Sequence, residues 1–435
     1  MTDQQAVLKI GIAGLGVVGG ETARHLVHRS AQLEVACGVK LELCAVNARS
    51  RDKDRGFDMT DMQWVDHAPD LAKIDELDII VEMIGGSEGD ALDLARAALQ
   101  AGKHFVTANK AMLAHHGLEL ATLAEENNVG LLYEAAVAGG IPAVKTLREG
   151  LAGNDISRVS GILNGTCNYI LTRMESTGEA FADVLADAQK LGYAEAEPSF
   201  DVDGIDAAHK LTLLAAIAFG QAPQFDVVSI QGIRDVSAVD FAYANQLGFR
   251  IKLVGVAEPG YVPRMQTCLL PLTSQLAKVN GVLNAVEYHG SSVGSTLSIG
   301  PGAGAGPTSS AVLSDLVDIA RNRISPAFGR PVAALSNGSN VAATDGVERP
   351  YYIRLMVIDQ PGVLADVTKI LQQQNISIES MLQQGRSPDD VVPLVMTTHH
   401  ATSESITGAL HDLTALACIK AKPVAMPILT DELEG

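Results

Sequence analysis

The sequence predicts a mixed α/β protein in three parts: a parallel sheet wound with helices, an α+β segment, and a small C-terminal βαββαβ sandwich. Three observations carry this. Apolar strands alternate with helices from Val7 to Ala136, the pattern of βαβ units and a parallel sheet. The alternation stops after Gly140, where a different set of strands and helices begins. From Tyr351 the chain reads strand, turn, helix, strand, strand, helix, strand, a βαββαβ order.

In the first part, strands are expected at Val7–Ala13, Leu41–Val46, Leu77–Met83, His104–Thr107 and Gly130–Ala136, with helices at Glu21–His28, Asp90–Ala101 and Leu118–Asn127. The second part opens with a helix at Pro142–Leu151 and a strand at Ser157–Leu163. Helices at Ala182–Lys190 and Ala207–Phe219 follow, then strands at Arg250–Ala257 and Gly281–Tyr288. The last block holds strand YYIRLMVI, turn DQPG, helix VLADVTKILQQQ, strands ISIESMLQQ and VVPLVMTTH, helix SESITGALHDLTAL and a strand near Ile419–Met426. The stretch before it is rich in Pro, Gly, Ser and Asn, which marks a linker. The expected domains are 1–138 (completed by about 303–325), 139–302, a linker at 326–350, and 351–435.

At 435 residues the chain has room for about three domains. A net charge of −19 argues against nucleic acid or an anionic membrane as partner. Five scattered cysteines without metal-ligand spacing fit reduced thiols in a cytoplasmic protein. The opening MTDQQAVLKIGIAG lacks the features of a signal peptide, and no apolar run approaches the ~18 residues of a membrane helix.

Gly14-Leu15-Gly16-Val17-Val18-Gly19 is a G-x-G-x-x-G turn between a strand and a helix. The first glycine permits the tight turn, the second lets backbone approach a pyrophosphate, and the third lets helix and strand pack closely. The bland alternative is a plain tight turn. An NAD-type site wants an acid at the end of the second strand; here stand Asn47, Arg49 and Arg51. Arginines suit a 2′-phosphate, so NADP is expected over NAD; the alternative is a solvated loop. Thr107 and Lys110 belong to the segment HFVTANK that ends a strand at the carboxyl edge of the sheet, where ligands bind, although a surface lysine there is common. Around Glu134, the segment EAAVAGGIP offers carbonyls for a hard cation or serves as a hinge. The turn GILNGT at Gly161–Thr166 offers amides to a carboxylate or is only a turn.

Gly192–Lys210 holds five carboxylates, Glu195, Glu197, Asp201, Asp203 and Asp206, and ends in Lys210 just before the apolar run LTLLAAIAF. Asp206 precedes Lys210 by four residues, the spacing of one helix face. A lysine among acids at the edge of a core is a candidate proton handler; a structural ion pair is the alternative.

These segments together resemble the homoserine dehydrogenase family, in the form with a C-terminal ACT-type regulatory domain. The matching residues are GLGVVGG, TANKAML, EAAVAGGIP, GILNGTCNYIL, LGYAEAEPSFDVDGIDAAHKL and IGPGAGAGPTSSAV. The resemblance implies a Rossmann-type nucleotide-binding domain, an α+β catalytic and dimerisation domain, and an ACT-like domain. It implies NAD(P)-dependent interconversion of L-aspartate 4-semialdehyde and L-homoserine, on the way to threonine and methionine. It makes Lys210 the proton donor, Asp206 its orienting partner, Glu195 and Asp201 substrate binders, and Lys110 a neighbour of nicotinamide and substrate. It assigns Glu134, Val137, Gly139 and Ile141 to a loop for a monovalent cation such as sodium. It brings Gly300 to Gly306 to the cofactor. Asp359 and Gly362, in the turn DQPG, match the place where ACT-type domains bind small amino acids, which implies feedback by threonine. The family also implies a homodimer or homotetramer. Cys167 stands where the family usually has threonine, and Asn47–Arg51 departs from the usual basic-then-acidic run. Against this stand a dehydrogenase for another amino acid, such as aspartate, and a non-catalytic sensor; the sensor reading leaves the acid/base positions unexplained.

Overall fold

The computed structural model describes residues 6–336, 346–383 and 390–429. Residues 337–345 of the expected linker, the end of strand ISIESMLQQ at Gln384, and both chain termini lie outside them. Two compact units emerge. The first comprises Met1–Leu163, Ala208–Val228 and Asn284–Ser339; the second comprises Asn164–Ala207, Ser229–Leu283 and Asn340–Gly435.

The first unit contains a six-stranded parallel sheet. Its order is Gln63–Trp64, Lys40–Asn47, Val7–Ala13, Ile79–Glu82, His104–Thr107, Leu131–Leu132. The chain starts in the middle and winds to both edges, so the order reverses beside Val7–Ala13. Open α/β sheets bind ligands at such a switch point, outside the carboxyl ends of the strands. Ile10, Ile12, Ile79 and Val106 are fully buried and hold the sheet together. The helix Ala305–Ala320 returns from far along the sequence and packs Val312 and Leu316 into the same core. Three further strands, Gly294–Pro301, Leu283–Gly290 and Ile156–Ile162, lie side by side in that order.

Several elements differ from the expectation. The helix after the glycine turn begins at Val17 rather than Glu21, because the turn itself forms its first residues. The helix expected from Leu118 runs from Lys110 to Glu126, capped by the Asn109 side chain, which accepts from Met112 N. The strand expected at Gly130–Ala136 is only Leu131–Leu132, because Glu134–Ala136 winds into a short 3-10 turn. The helix expected at Pro142–Leu151 becomes one α-turn at Ala143–Lys145 and a π-helical turn at Thr146–Gly150.

The second unit carries helices Gly165–Thr177, Phe181–Lys190 and Ala238–Gln246, and the antiparallel pair Phe249–Ala257 and Arg264–Pro271. Its C-terminal block follows the expected βαββαβ order. The antiparallel sheet order is Ile378–Gln383, Val391–Thr398, Tyr351–Ile358, Val424–Pro427. Helices Val363–Gln373 and Ser403–Thr414 bury Val367, Leu371, Ala409 and Leu413 against it. A buried ion pair ties this block to the helix Ala238–Gln246: Asp240, fully buried, accepts from Arg354 Nε at 2.7 Å and from Tyr352 OH at 2.9 Å. Among the described residues there is no disulfide, and no helix is long and apolar enough to cross a membrane.

Candidate active site

In the first unit, the three glycines of the turn meet three different surroundings. A Cβ on Gly14, whose φ is +92°, would lie 2.5 Å from Met83 O. A Cβ on Gly19 would lie 1.8 Å from Gly14 O, so helix and strand touch there. A Cβ on Gly16 would meet nothing within 4 Å, so this residue leaves an open cradle at the N-terminus of helix Val17–His28. That cradle, with the helix amides above it, fits a pyrophosphate. A cavity of about 190 Å³ opens at the same place, lined by Leu15, Gly16, Val17, Arg24, Lys53 and Arg55 among others.

Neither Arg49 nor Arg51 lines this cavity. Arg49 is exposed. The Arg51 guanidinium lies 5.7 Å from the centre of the Trp64 ring. Arg55 leans on the same ring at 5.9 Å and reaches Leu15 O with its Nε at 3.4 Å. Asn47, at the end of the second strand, is buried and donates its Nδ2 to Val65 O and Asp66 O. Lys53 and Arg55 were passed over in the sequence; the nearby single tryptophan was the available sign, as a surface for arginine stacking.

Thr107 is fully buried, and its hydroxyl donates to Glu82 at 2.5 Å. The other oxygen of Glu82 accepts from Ile84 N and Gly85 N, which fixes the turn after the fourth strand. Lys110 is half-buried at the first position of its helix, immediately after the capping Asn109 and three residues past the end of strand His104–Thr107.

Glu134 is buried; its carboxylate accepts from Val144 N at 2.9 Å and Lys145 N at 2.8 Å, and its own N–H donates to Asp315 at 2.9 Å. Burial, with the charge of Asp315 beside it, pushes the Glu134 carboxyl up to about 7. The buried Val137 and Ile141 flank a bend made by Ala138 and Gly139, at φ +55° and +54°. The segment Gly300–Gly306 lies on this bend. Gly140 N donates to Pro301 O, a Cβ on Gly139 would sit 2.4 Å from Gly302 O, and Gly300 faces Ile141. The structure thus brings together two glycine-rich segments that lie about 160 residues apart in sequence. A Cβ on Gly306 would meet open space. Lys210 is buried on helix Ile205–Phe219 and donates its Nζ to Leu163 O at 2.8 Å.

In the second unit, Asn164 organises the acids. Its side-chain oxygen caps helix Gly165–Thr177 by accepting from Cys167 N, and its Nδ2 donates to Asp201 at 2.8 Å and to Asp206 at 2.9 Å. Asp206 is buried, one turn before Lys210 on the same helix. The Cys167 thiol faces Asp201 O at 3.2 Å. Glu195 is exposed, on the segment after helix Phe181–Lys190. Asn164 was read from the sequence only as part of a turn; its place as an N-cap residue before a helix was the legible sign. Further on, Asp359 and Gly362 border a cavity of about 150 Å³ at the start of helix Val363–Gln373, with Gly362 at φ +100°.

A parallel sheet of this strand order with a glycine cradle at its switch point defines a dinucleotide-binding domain. Family models narrow the class. Residues 14–134 match "Homoserine dehydrogenase, NAD binding domain", residues 142–317 match "Homoserine dehydrogenase", and residues 351–415 match "ACT domain". The homoserine dehydrogenase of Pseudomonas aeruginosa is 44% identical over 420 residues, covering 94% of this chain and 96% of that one. A homoserine dehydrogenase structure from Thiobacillus denitrificans superposes with a TM-score of 0.91 at 39% identity, covering 98% of this chain and all of that one. A hyperthermophilic archaeal homoserine dehydrogenase in complex with NADPH superposes with a TM-score of 0.62 at 27% identity, covering 72% of this chain and 97% of that one. The chain belongs to the homoserine dehydrogenase family.

Proposed function

We propose that the protein interconverts L-aspartate 4-semialdehyde and L-homoserine, in the cytoplasmic route to threonine and methionine, and that it uses NADP in preference to NAD. The observation that carries the chemistry is the buried Lys210 ammonium, fixed by Leu163 O at 2.8 Å. Bound nicotinamide supplies or accepts the hydride. Lys210 polarises the aldehyde carbonyl and gives its oxygen a proton, a general-acid role worth about 10²–10⁴-fold. Asp206, one helical turn away and held by Asn164, orients that lysine. Glu195 takes the substrate ammonium, which fixes one end of the substrate; Asp201, also held by Asn164, completes the acid set. Lys110 serves the nicotinamide end.

The NADP reading draws on Arg24, Lys53 and Arg55 around the glycine cavity and on the absence of an acid at Asn47. A solved archaeal relative carries NADPH. A monovalent cation such as sodium rests on the carbonyls of Val137, Gly139 and Ile141 near Glu134. The C-terminal block senses an amino acid, threonine in this reading, and the enzyme works as a homodimer or homotetramer. The test is absorbance at 340 nm with L-homoserine and NADP or NAD, with and without threonine. Rapid reduction, faster with NADP and slowed by threonine, is the expected result. No reduction with either cofactor would defeat the assignment.

A further inference from the structure

We propose that a cleft in the second unit, between the segment around Gln231–Asp235 and the C-terminal helix Ser403–Thr414, seats a small α-amino acid as its zwitterion; this rests on the reading that the enzyme has an amino-acid effector. The cleft holds about 140 Å³. At ~30 Å³ per water that is room for roughly four or five waters, enough for a small amino acid and too little for a nucleotide. Ile406 and Val424, both buried, give it an apolar floor, while Gln231, Gln266, Ser403 and Thr407 line its walls with hydrogen-bonding groups.

The rim carries one charge of each sign. Lys422 Nζ lies 2.7 Å from Asp235 Oδ2, and the two side chains are 74% and 43% exposed. An exposed pair of this kind is worth only about 0–1 kcal/mol. Exchanging partners is therefore cheap: a ligand carboxylate takes Lys422 and a ligand ammonium takes Asp235. The cavity at Asp359–Gly362 contains an acid but neither lysine nor arginine among its described lining residues.

The cleft is also wired into the buried ion pair. Asp235 O accepts from Arg354 Nη2 at 3.2 Å, and Arg354 Nε in turn holds Asp240. Asp240 closes the capping box of helix Ala238–Gln246 with Ser237. A ligand that pulls on Asp235 acts on a residue whose carbonyl is bonded to Arg354 of the C-terminal sheet, and Arg354 in turn holds Asp240 of that helix.

Calorimetry on the full-length enzyme tests this, with glycine, L-threonine and L-tryptophan as probes and with Asp235→Asn, Lys422→Gln and Gly362→Asp as variants. L-threonine is expected to give heat and L-tryptophan none. The dissociation constant should rise at least about tenfold in each cleft variant and stay unchanged in Gly362→Asp, with homoserine turnover in the absence of effector intact in all three. Binding kept by both cleft variants and lost in Gly362→Asp would overturn the cleft and move the seat to the DQPG turn, leaving the effector reading in place. No heat from any probe would overturn both.

Discussion

Replacing Lys210 by methionine removes the ammonium and keeps most of the volume. The residue is only 8% exposed, and its Nζ is held by Leu163 O at 2.8 Å. At such a buried position bulk water is poorly placed to donate in its stead. General-acid catalysis is worth about 10²–10⁴-fold, or roughly 3–5 kcal/mol at 1.36 kcal/mol per decade. The upper half of that range is expected for kcat. The same change takes a donor from a buried carbonyl, which costs about 1–3 kcal/mol of stability. The two effects separate in the assays. NADPH oxidation with L-aspartate 4-semialdehyde reads kcat, thermal melting reads stability, and NADPH fluorescence reads cofactor affinity. Lys210→Met should melt somewhat lower, bind NADPH as the parent does, and turn over at least a thousandfold more slowly (about 4 kcal/mol on the barrier). A kcat within tenfold of the parent would refute the proton-donor role, and weakened NADPH binding of matching size would reassign Lys210 to the cofactor.

Other consequences can be checked in the same way. Gly16→Ala should leave the melting temperature almost unchanged, since its Cβ meets nothing within 4 Å, yet weaken NADP binding; Gly19→Ala, whose Cβ would sit 1.8 Å from Gly14 O, should cost several kcal/mol of stability. Arg55→Ala should lower the ratio of kcat/KM for NADP over NAD by about 10–100-fold, the worth of a charge-assisted hydrogen bond, while Arg49→Ala leaves it nearly unchanged. Burial pushes the Lys252 ammonium down to about 8, where it donates to Asn168, Val279 and Asn280. The unfolded chain then binds more protons than the folded one between about pH 8 and 10.4, so this group makes stability rise with pH across that window. Urea melts at several pH values should show that rise in the parent and a flatter profile in Lys252→Met.

The strands Val7–Ala13, His104–Thr107 and Tyr351–Ile358 fall where the sequence put them because each is an apolar run closed by a polar or glycine turn. Lys210 and Asp206 were legible for a similar local reason: acid, lysine and apolar run share one helix. Helix Ala238–Gln246 was missed although Ser237 and Asp240 form a capping box, a signal that can be read locally. Asn164 is another matter. Its two acid partners lie 37 and 42 residues away, and only tertiary folding brings them to it. Arg55 is placed by stacking on Trp64 and by Leu15 O, 40 residues earlier, a position that spacing from the second strand, which singles out Arg49 and Arg51, does not encode. Short-range pattern finds elements; the partners of a polar side chain depend on contacts the pattern does not encode.

The interleaving of the first unit sets a timetable for biosynthesis. Glu134 N–H finds its acceptor in Asp315, 181 residues later. A ribosome adding ~10 residues per second takes roughly 18 s to cover that gap. Until then the nascent sheet lacks Val312 and Leu316, and one flank of its apolar surface stays bare. The nucleotide-binding half therefore cannot mature as it leaves the ribosome. It waits, open to chaperones and to other unfinished chains, while the first two segments of the second unit are made in the middle of it.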